Sequence, residues 1–318
     1  VKSWRPAQSL KLGLSGLTII LCALGWRTVL LRAHYPAQIV ATSKAAHRRP
    51  LPKLYTFPEG GRQLFPNYRL VALYGSPGMP VLGALGEQPM DATIARVKQL
   101  AASYQPYAAE HILPTLEIIA TVASASPTDN GDYSQETTAA DLQPWITAAR
   151  QAGVYVVLDL QPGRTNFLLQ AQEYQTLLAQ PNVGLALDPE WRLAPTQIPL
   201  KQLGTVDSNE VNAVDGWLAS LTARNQLPQK LFLLHQFTLS MITNRQMLDT
   251  SHQELAYVIQ MDGQGLQPTK HDTWQAITAD PPPNIQFGWK NFYTKDTPVL
   301  GPAGTVAITP KPWYISYQ

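Results

Sequence analysis

A chain of 318 residues is long enough for one closed α/β barrel plus an N-terminal extension, and a hydrophobic content of 45% supplies a sizeable core. Charged side chains make up only 14%, well below the usual quarter, and Gln, Thr, Ser, Asn and Pro take their place, a composition typical of a surface outside the cytoplasm. The net charge is +2, with the basic excess in the first 63 residues rather than on a folded face, which excludes a nucleic-acid footprint; the single cysteine, Cys22, lies in an N-terminal apolar run, which excludes a disulfide or thiol nucleophile in the domain beyond it.

Lys2, Arg5 and Lys11 precede the apolar residues 12–26, followed by Arg27 and a short apolar piece ending at Leu31. A positive flank before roughly 15 apolar residues is the pattern of a secretory segment. No small-residue cleavage site follows, so an uncleaved signal anchor over 1–32 is favoured over a cleaved peptide. Leu21 before Cys22 argues against a lipid anchor. The positive end stays in the cytoplasm, which places the remainder outside, membrane-anchored or secreted. Residues 33–66 read as a Pro- and basic-rich tether and 67–318 as the barrel domain.

From Arg69 onward short apolar runs alternate with helical patterns. Residues 69–75 predict a first strand. A helix follows with Asp91 as its cap and Ile94, Val97, Leu100, Ala101 and Tyr104 on one face. Residues 112–122 predict the second strand, with a long polar loop after it and then a helix capped by Thr138 and Asp141. The third strand, 154–163, is nearly all apolar, as a strand buried on both faces should be. The fourth is 183–191, and Asp207 and Glu210 frame a capping box for the next helix. Further strands are predicted at 231–237, 254–263, 284–293 and 313–318, with poor helices between them. Eight strands separated mostly by helices predict a (β/α)8 barrel. No glycine-rich fingerprint follows the first strand, so no nucleotide is expected.

The reactive face of such a barrel is the carboxyl end of its strands. Polar residues cluster there: Glu117 on strand two, Asp159 and Gln161 on strand three, Asp188 and Glu190 on strand four. His235 and Gln236 end strand five, Gln260 and Asp262 strand six, Lys290 strand seven, Tyr317 and Gln318 strand eight. The i, i+2 pairs each point to one side of their strand. Burying such groups costs free energy unless they are paired or solvated, so their convergence points to a site. Several carboxylates around one cleft suit acid/base work at a glycosidic bond. Glu190 is the expected acid, its proton affinity raised by Asp188 and Asp159, with Asp188 orienting or stabilising. Asp159 is the third expected catalytic acid. Glu117, Gln161, His235, Gln236, Gln260, Asp262 and Lys290 are expected substrate ligands, and Trp191, Trp289 and Tyr317 expected sugar platforms. No cofactor is expected. The histidine spacing fits no zinc motif. A Mg²⁺ or Ca²⁺ site of Asp159, Asp188 and Asp262, serving a metal-assisted phosphodiesterase, stays open beside hydrolysis, as does a non-catalytic carbohydrate-binding barrel. Turn chemistry at Asp188-Pro189, Gln161-Pro-Gly and Asp262-Gly263, and an internal ion pair between Lys290 and Asp262, are the structural readings of the same residues.

LALDPEW, at the end of strand four, is similar to the D-x-E ending of family 18 and family 25 glycoside hydrolases. In the family 18 pattern the last Glu is the acid and the preceding Asp orients an acetamido group, which implies those roles for Glu190 and Asp188. The two upstream acids of the longer motif correspond here to Val183 and Ala186. Across residues 66–318 the chain resembles, through LYGSPGMPVLGALGEQ, LDLQPGR, LALDPEWR and HQFT, a family of uncharacterised bacterial envelope-associated (β/α)8-barrel proteins. That resemblance implies the fold and a location at the envelope. The function expected is a glycoside-hydrolase-like barrel that acts on a cell-envelope polysaccharide.

Overall fold

A computed structural model describes residues 54–318. The signal anchor expected over 1–32, Cys22 and most of the tether lie outside the described residues. No helix among the described residues is long and apolar enough to cross a membrane.

Eight parallel strands close into a barrel. They are β1 (Tyr68–Gly75), β2 (His111–Ala123), β3 (Tyr155–Leu160), β4 (Val183–Leu187), β5 (Lys230–Gln236), β6 (Leu255–Met261), β7 (Gln286–Asn291) and β8 (Pro312–Tyr317). Each pairs with the next in chain order, and β1 closes the ring by pairing with β8 as well as β2. Ala72, for instance, sits opposite Ser316 on one side and Thr115 on the other. All eight predicted strands are present, within a few residues of their predicted bounds. Alternate residues of each strand serve two cores. Leu70, Leu113, Val157, Ala186, Leu233 and Val258 fill the barrel interior. Val71, Leu116, Leu158, Leu185, Leu234 and Ile259 meet the surrounding helices. Both faces are buried, which is why the strands read as continuous apolar runs rather than alternating ones.

The ring of helices comprises α1 (Met90–Tyr104), α2 (Ala139–Gln151), α3 (Phe167–Glu173), α4 (Gln175–Leu178), α5 (Ser208–Arg224), α6 (Gln267–Thr278) and the single turn α7 (Pro302–Val306). Thr138 caps α2 as expected, accepting from the Asp141 N–H at 3.2 Å. Asp91 is not the cap of α1: Pro89 holds that position and Asp91 lies in the first turn, where its charge still favours the helix dipole. Asp207 caps α5, but Glu210 does not complete a box; it turns away to Phe167 and Arg192. The expected run of poor helices is only partly found. The connection from β5 to β6 has two 3₁₀ turns and no α-helix, whereas α6 spans twelve residues.

The described end of the tether is part of the domain. Phe57 and Leu64 are buried against Tyr68 and Tyr155, closing the amino end of the barrel. Arg62 fastens this segment by donating to the carbonyls of Gln226 and Leu227 at 2.7 and 3.0 Å.

Candidate active site

The carboxyl end of the barrel is floored by polar side chains on the inward register of the strands. His235 of β5 stands at its centre. Its Nε2 lies 2.9 Å from Glu117 Oε1 on β2, and its Nδ1 3.2 Å from Asp262 Oδ2 just past β6. Glu117 also accepts from the Tyr314 hydroxyl at 3.0 Å, and Asp159 from the Tyr74 hydroxyl at 3.0 Å. Gln260 donates to Ser316 at 2.6 Å. Glu117, Asp159, His235 and Gln260 are fully buried.

The long β2 strand rises past its neighbours, and the short strand Ser134–Glu136 folds back on it. This arm pins Gln161. The Gln161 Oε1 accepts from the Ala123 N–H at 3.0 Å, its backbone carbonyl accepts from Ser134 Oγ at 2.9 Å, and its amide group reaches toward Tyr74 and Asp188, 3.5 Å from each. Gly163 makes the turn after it at φ +60°, where a Cβ would lie 2.2 Å from the Asp132 carbonyl oxygen.

Glu190 is not on a strand. β4 ends at Leu187, and Pro189–Trp191 form a 3₁₀ turn that swings Glu190 onto the cleft wall. The turn is held on three sides. Its Glu190 carbonyl accepts from the Gly204 N–H at 2.7 Å, the Leu193 N–H donates to Gly163 at 2.7 Å, and Arg192 Nε meets both oxygens of Glu210 at 2.9 and 3.1 Å. A Cβ on Gly204 would fall 2.6 Å from the Glu190 carbonyl oxygen. Gly204→Ala is therefore expected to push this turn out of place and to destabilise the fold by about 1–3 kcal/mol, read from urea unfolding. An unchanged unfolding midpoint would show that the turn has room to yield.

The cleft above has a volume of about 590 Å³, within the range of small-ligand sites. Glu190, Asp262, Gln161 and Lys290 line it with Tyr74, Trp191, Phe237, Phe292 and Gln318. The Lys290 ammonium lies 3.4 Å from the centre of the Tyr74 ring, and among the described residues it has no direct carboxylate partner, so the expected Lys290–Asp262 contact pair is not formed. Lys270, on α6, donates to the Lys290 carbonyl at 2.7 Å and to Asp296 at 2.5 Å, fixing the end of β7 from outside the barrel.

Five carboxyl groups (Glu117, Asp159, Asp188, Glu190 and Asp262) share this mouth with two basic side chains, His235 and Lys290. They cannot all ionise without large mutual repulsion. Burial, then repulsion from Asp262, pushes Glu190 up to about 7. Burial pushes Asp159 up to about 6 against the opposing pull of His235. Asp188 is also raised, by burial and by Glu190. Asp262 goes the other way: the contact with His235, and the charges of His235 and Lys290, outweigh burial and hold it below the ordinary aspartate value. His235 is held well above the usual histidine value, since Glu117 and Asp159 outweigh the cost of burial. Oδ1 of Asp159, Asp188 and Asp262 are buried without a hydrogen-bond partner among the described residues, which leaves acceptors free in the mouth.

The expected site residues thus separate into levels. Glu190, Asp262, Gln161, Lys290 and Trp191 reach the cleft. Asp159 and Asp188 lie just beneath it, and Glu117, His235 and Gln260 form the floor. Four expectations are corrected. Tyr317 alternates to the outer face, with its hydroxyl 2.5 Å from that of Tyr104 on α1. Trp289 is buried against Trp274 outside the barrel. Gln236 shares the outer register of Leu234, and its amide donates to the Leu239 carbonyl. Glu190 is raised first by burial and then by Asp262, rather than chiefly by Asp188 and Asp159. Tyr74 and Tyr314 were not foreseen; strand parity from Leu70 and Ala72 would have pointed Tyr74 inward.

No protein-family model matches the chain, and no curated protein matches it by sequence.

Proposed function

We propose that this barrel is a glycoside hydrolase-like enzyme in which Glu190 is the general acid and Asp262 the ionised partner. The observation that carries the reading is that these two carboxyl groups line one cleft with proton affinities displaced in opposite directions. A group at about 7 keeps its proton near neutrality and can give it to a leaving glycosidic oxygen. An ionised carboxylate in the same cleft can activate water or stabilise a developing oxocarbenium ion. Divergent pairs of this kind mark acid and base assignments. Asp159, one level down, adds to the repulsion that keeps the proton on Glu190. Trp191, Phe237 and Phe292 on the walls offer flat apolar faces to sugar rings.

The proposed substrate is a cell-envelope polysaccharide met outside the cytoplasm, through a membrane association of the N-terminal segment. This part rests on the apolar N-terminal run, on the low charge of the chain and on the resemblance to envelope-associated barrels. The site reads against the metal-assisted alternative. Among the described residues, the three metal-type side chains whose ligand atoms converge within 4.8 Å lie elsewhere in the fold.

Reducing-end release from peptidoglycan and chitin oligomers, with and without EDTA, tests the reading. Turnover indifferent to EDTA is expected. Turnover abolished by EDTA would replace hydrolysis by carboxylates with metal-assisted chemistry. Binding of glycans without turnover would leave a carbohydrate-binding barrel.

A further inference from the structure

The connection between β5 and β6 lacks the helix that covers most other strand pairs, and it is tied down from α5 instead. Asn212 donates to the Met247 carbonyl at 2.8 Å and accepts from the Asp249 N–H at 2.8 Å. One turn further along the same helix face, Asp215 points at the same segment. Asp215, Asp249 and His252 each place one ligand atom within 4.8 Å of the others.

We propose that Asp215, Asp249 and His252 form a divalent transition-metal site that clips this connection to α5, near the amino end of β6. Each carboxylate has one oxygen already committed. Asp215 Oδ1 accepts from the Tyr257 hydroxyl at 2.8 Å, and Asp249 Oδ1 from the backbone N–H and hydroxyl of Ser251 at 3.0 and 2.7 Å. The remaining oxygens turn inward, with His252 Nε2 3.3 Å from Asp215 Oδ2 and 3.7 Å from Asp249 Oδ2. Ligands about 2.0–2.1 Å from a tetrahedral ion stand about 3.4 Å apart, so these spacings suit a zinc-class cation. Asp215 is buried, and its Oδ2 has no hydrogen-bond partner among the described residues, an arrangement that costs free energy unless a cation meets it. The hydrogen bonds to the outer oxygens orient the ligands in the manner of metal sites. An imidazole in the set favours a transition ion over Mg²⁺ or Ca²⁺. Asp249 and His252 reach solvent, so open positions on the ion would be filled by water. The ligands come from a helix and a distant loop, which is why no histidine spacing in the sequence announced them.

The test uses the full chain, freed of metal by chelation and titrated with ZnCl₂ and CoCl₂. Asp215→Asn risks the fold through Tyr257, so the informative variants are His252→Ala and Asp249→Asn, both near the surface. The expected results are that each variant binds one equivalent of zinc fewer than the wild type, or binds that equivalent at least about 100-fold more weakly. The visible absorption of bound cobalt should fall in His252→Ala, and free zinc at about 100 times the wild-type Kd should raise the wild-type Tm by about 5–10 °C but not that of the variant. Equal zinc stoichiometry and affinity in wild type and His252→Ala, or an equal Tm response, would overturn the proposal.

Discussion

Glu190→Gln is expected to lower glycan hydrolysis by about 100- to 10,000-fold while making the protein more stable at alkaline pH. The rate loss follows from removing the proton donor while keeping the shape of the side chain. The stability gain follows from the same environment. Glu190 titrates at about 7 in the folded protein, above the ordinary glutamate value of 4.5, because burial and Asp262 disfavour its charge. The folded state therefore holds a proton that the unfolded chain gives up more easily. Stability declines as the pH rises from about 4.5 through 7 and then levels off. The glutamine has no charge to bury, so at about pH 8 the variant should be more stable by roughly 2 kcal/mol, less whatever solvent screening removes at the partly open cleft wall. Below about pH 4.5 the two proteins should be equally stable. Urea unfolding at the two ends of that range measures the difference; a variant less stable than wild type at about pH 8 would show that Glu190 is held as a charge, which the proposed role as an acid does not permit.

His235→Ala is expected to destabilise the barrel by about 3–5 kcal/mol, because it strands two buried carboxylates. Glu117 and Asp262 both lean on the same ring, at 2.9 and 3.2 Å, and neither has a basic side chain in direct contact to replace it. The pH dependence has two limbs. His235 is raised by its carboxylate neighbours despite burial, so its contribution is fully present below about pH 6.5 and is lost as the pH climbs through the raised value. Asp262 is lowered by His235 and Lys290 despite burial. Its contribution is present above about pH 4 and is lost as the pH falls through the lowered value. The stabilisation is therefore greatest between those limbs, and there the variant should differ most from wild type. The double variant Glu117→Gln, His235→Leu should recover part of the loss, since it removes a charge together with its partner. A loss below about 1 kcal/mol in His235→Ala would mean that the floor is not held by charge.

The barrel was legible in the sequence because eight apolar runs at barrel spacing leave few other architectures, and strands buried on both faces announce themselves by composition alone. The polar mouth was legible for the same reason: Asp159, His235 and Asp262 interrupt runs that are otherwise apolar. What alternation does not reveal is depth. Glu117 and Glu190 carry the same carboxyl group, but Glu117 sits on a paired strand in the floor, whereas a 3₁₀ turn beyond the last strand pair brings Glu190 to the cleft. Facing follows the register of a strand and not the distance from its apparent end, and that register turns Tyr317 and Gln236 outward. Phe57 and Leu64 belong to no periodic element and so read as linker; they are buried in a plug that packs on the amino end of the barrel without being helix or strand. The Asp215 cluster has no sequence signal, since Asp215 lies on α5 and its two partners on a distant loop.

The central claim is that a protonated Glu190 and an ionised Asp262 share one glycan-binding cleft. Reducing-end release by wild type and Glu190→Gln, measured side by side from about pH 4 to 9, tests it most directly. The account predicts a wild-type rate with a falling limb centred near 7, where Glu190 loses its proton, and a variant that retains glycan binding but has neither the rate nor that limb. Equal rates in the two proteins, or a wild-type rate that does not fall above neutrality, would contradict it.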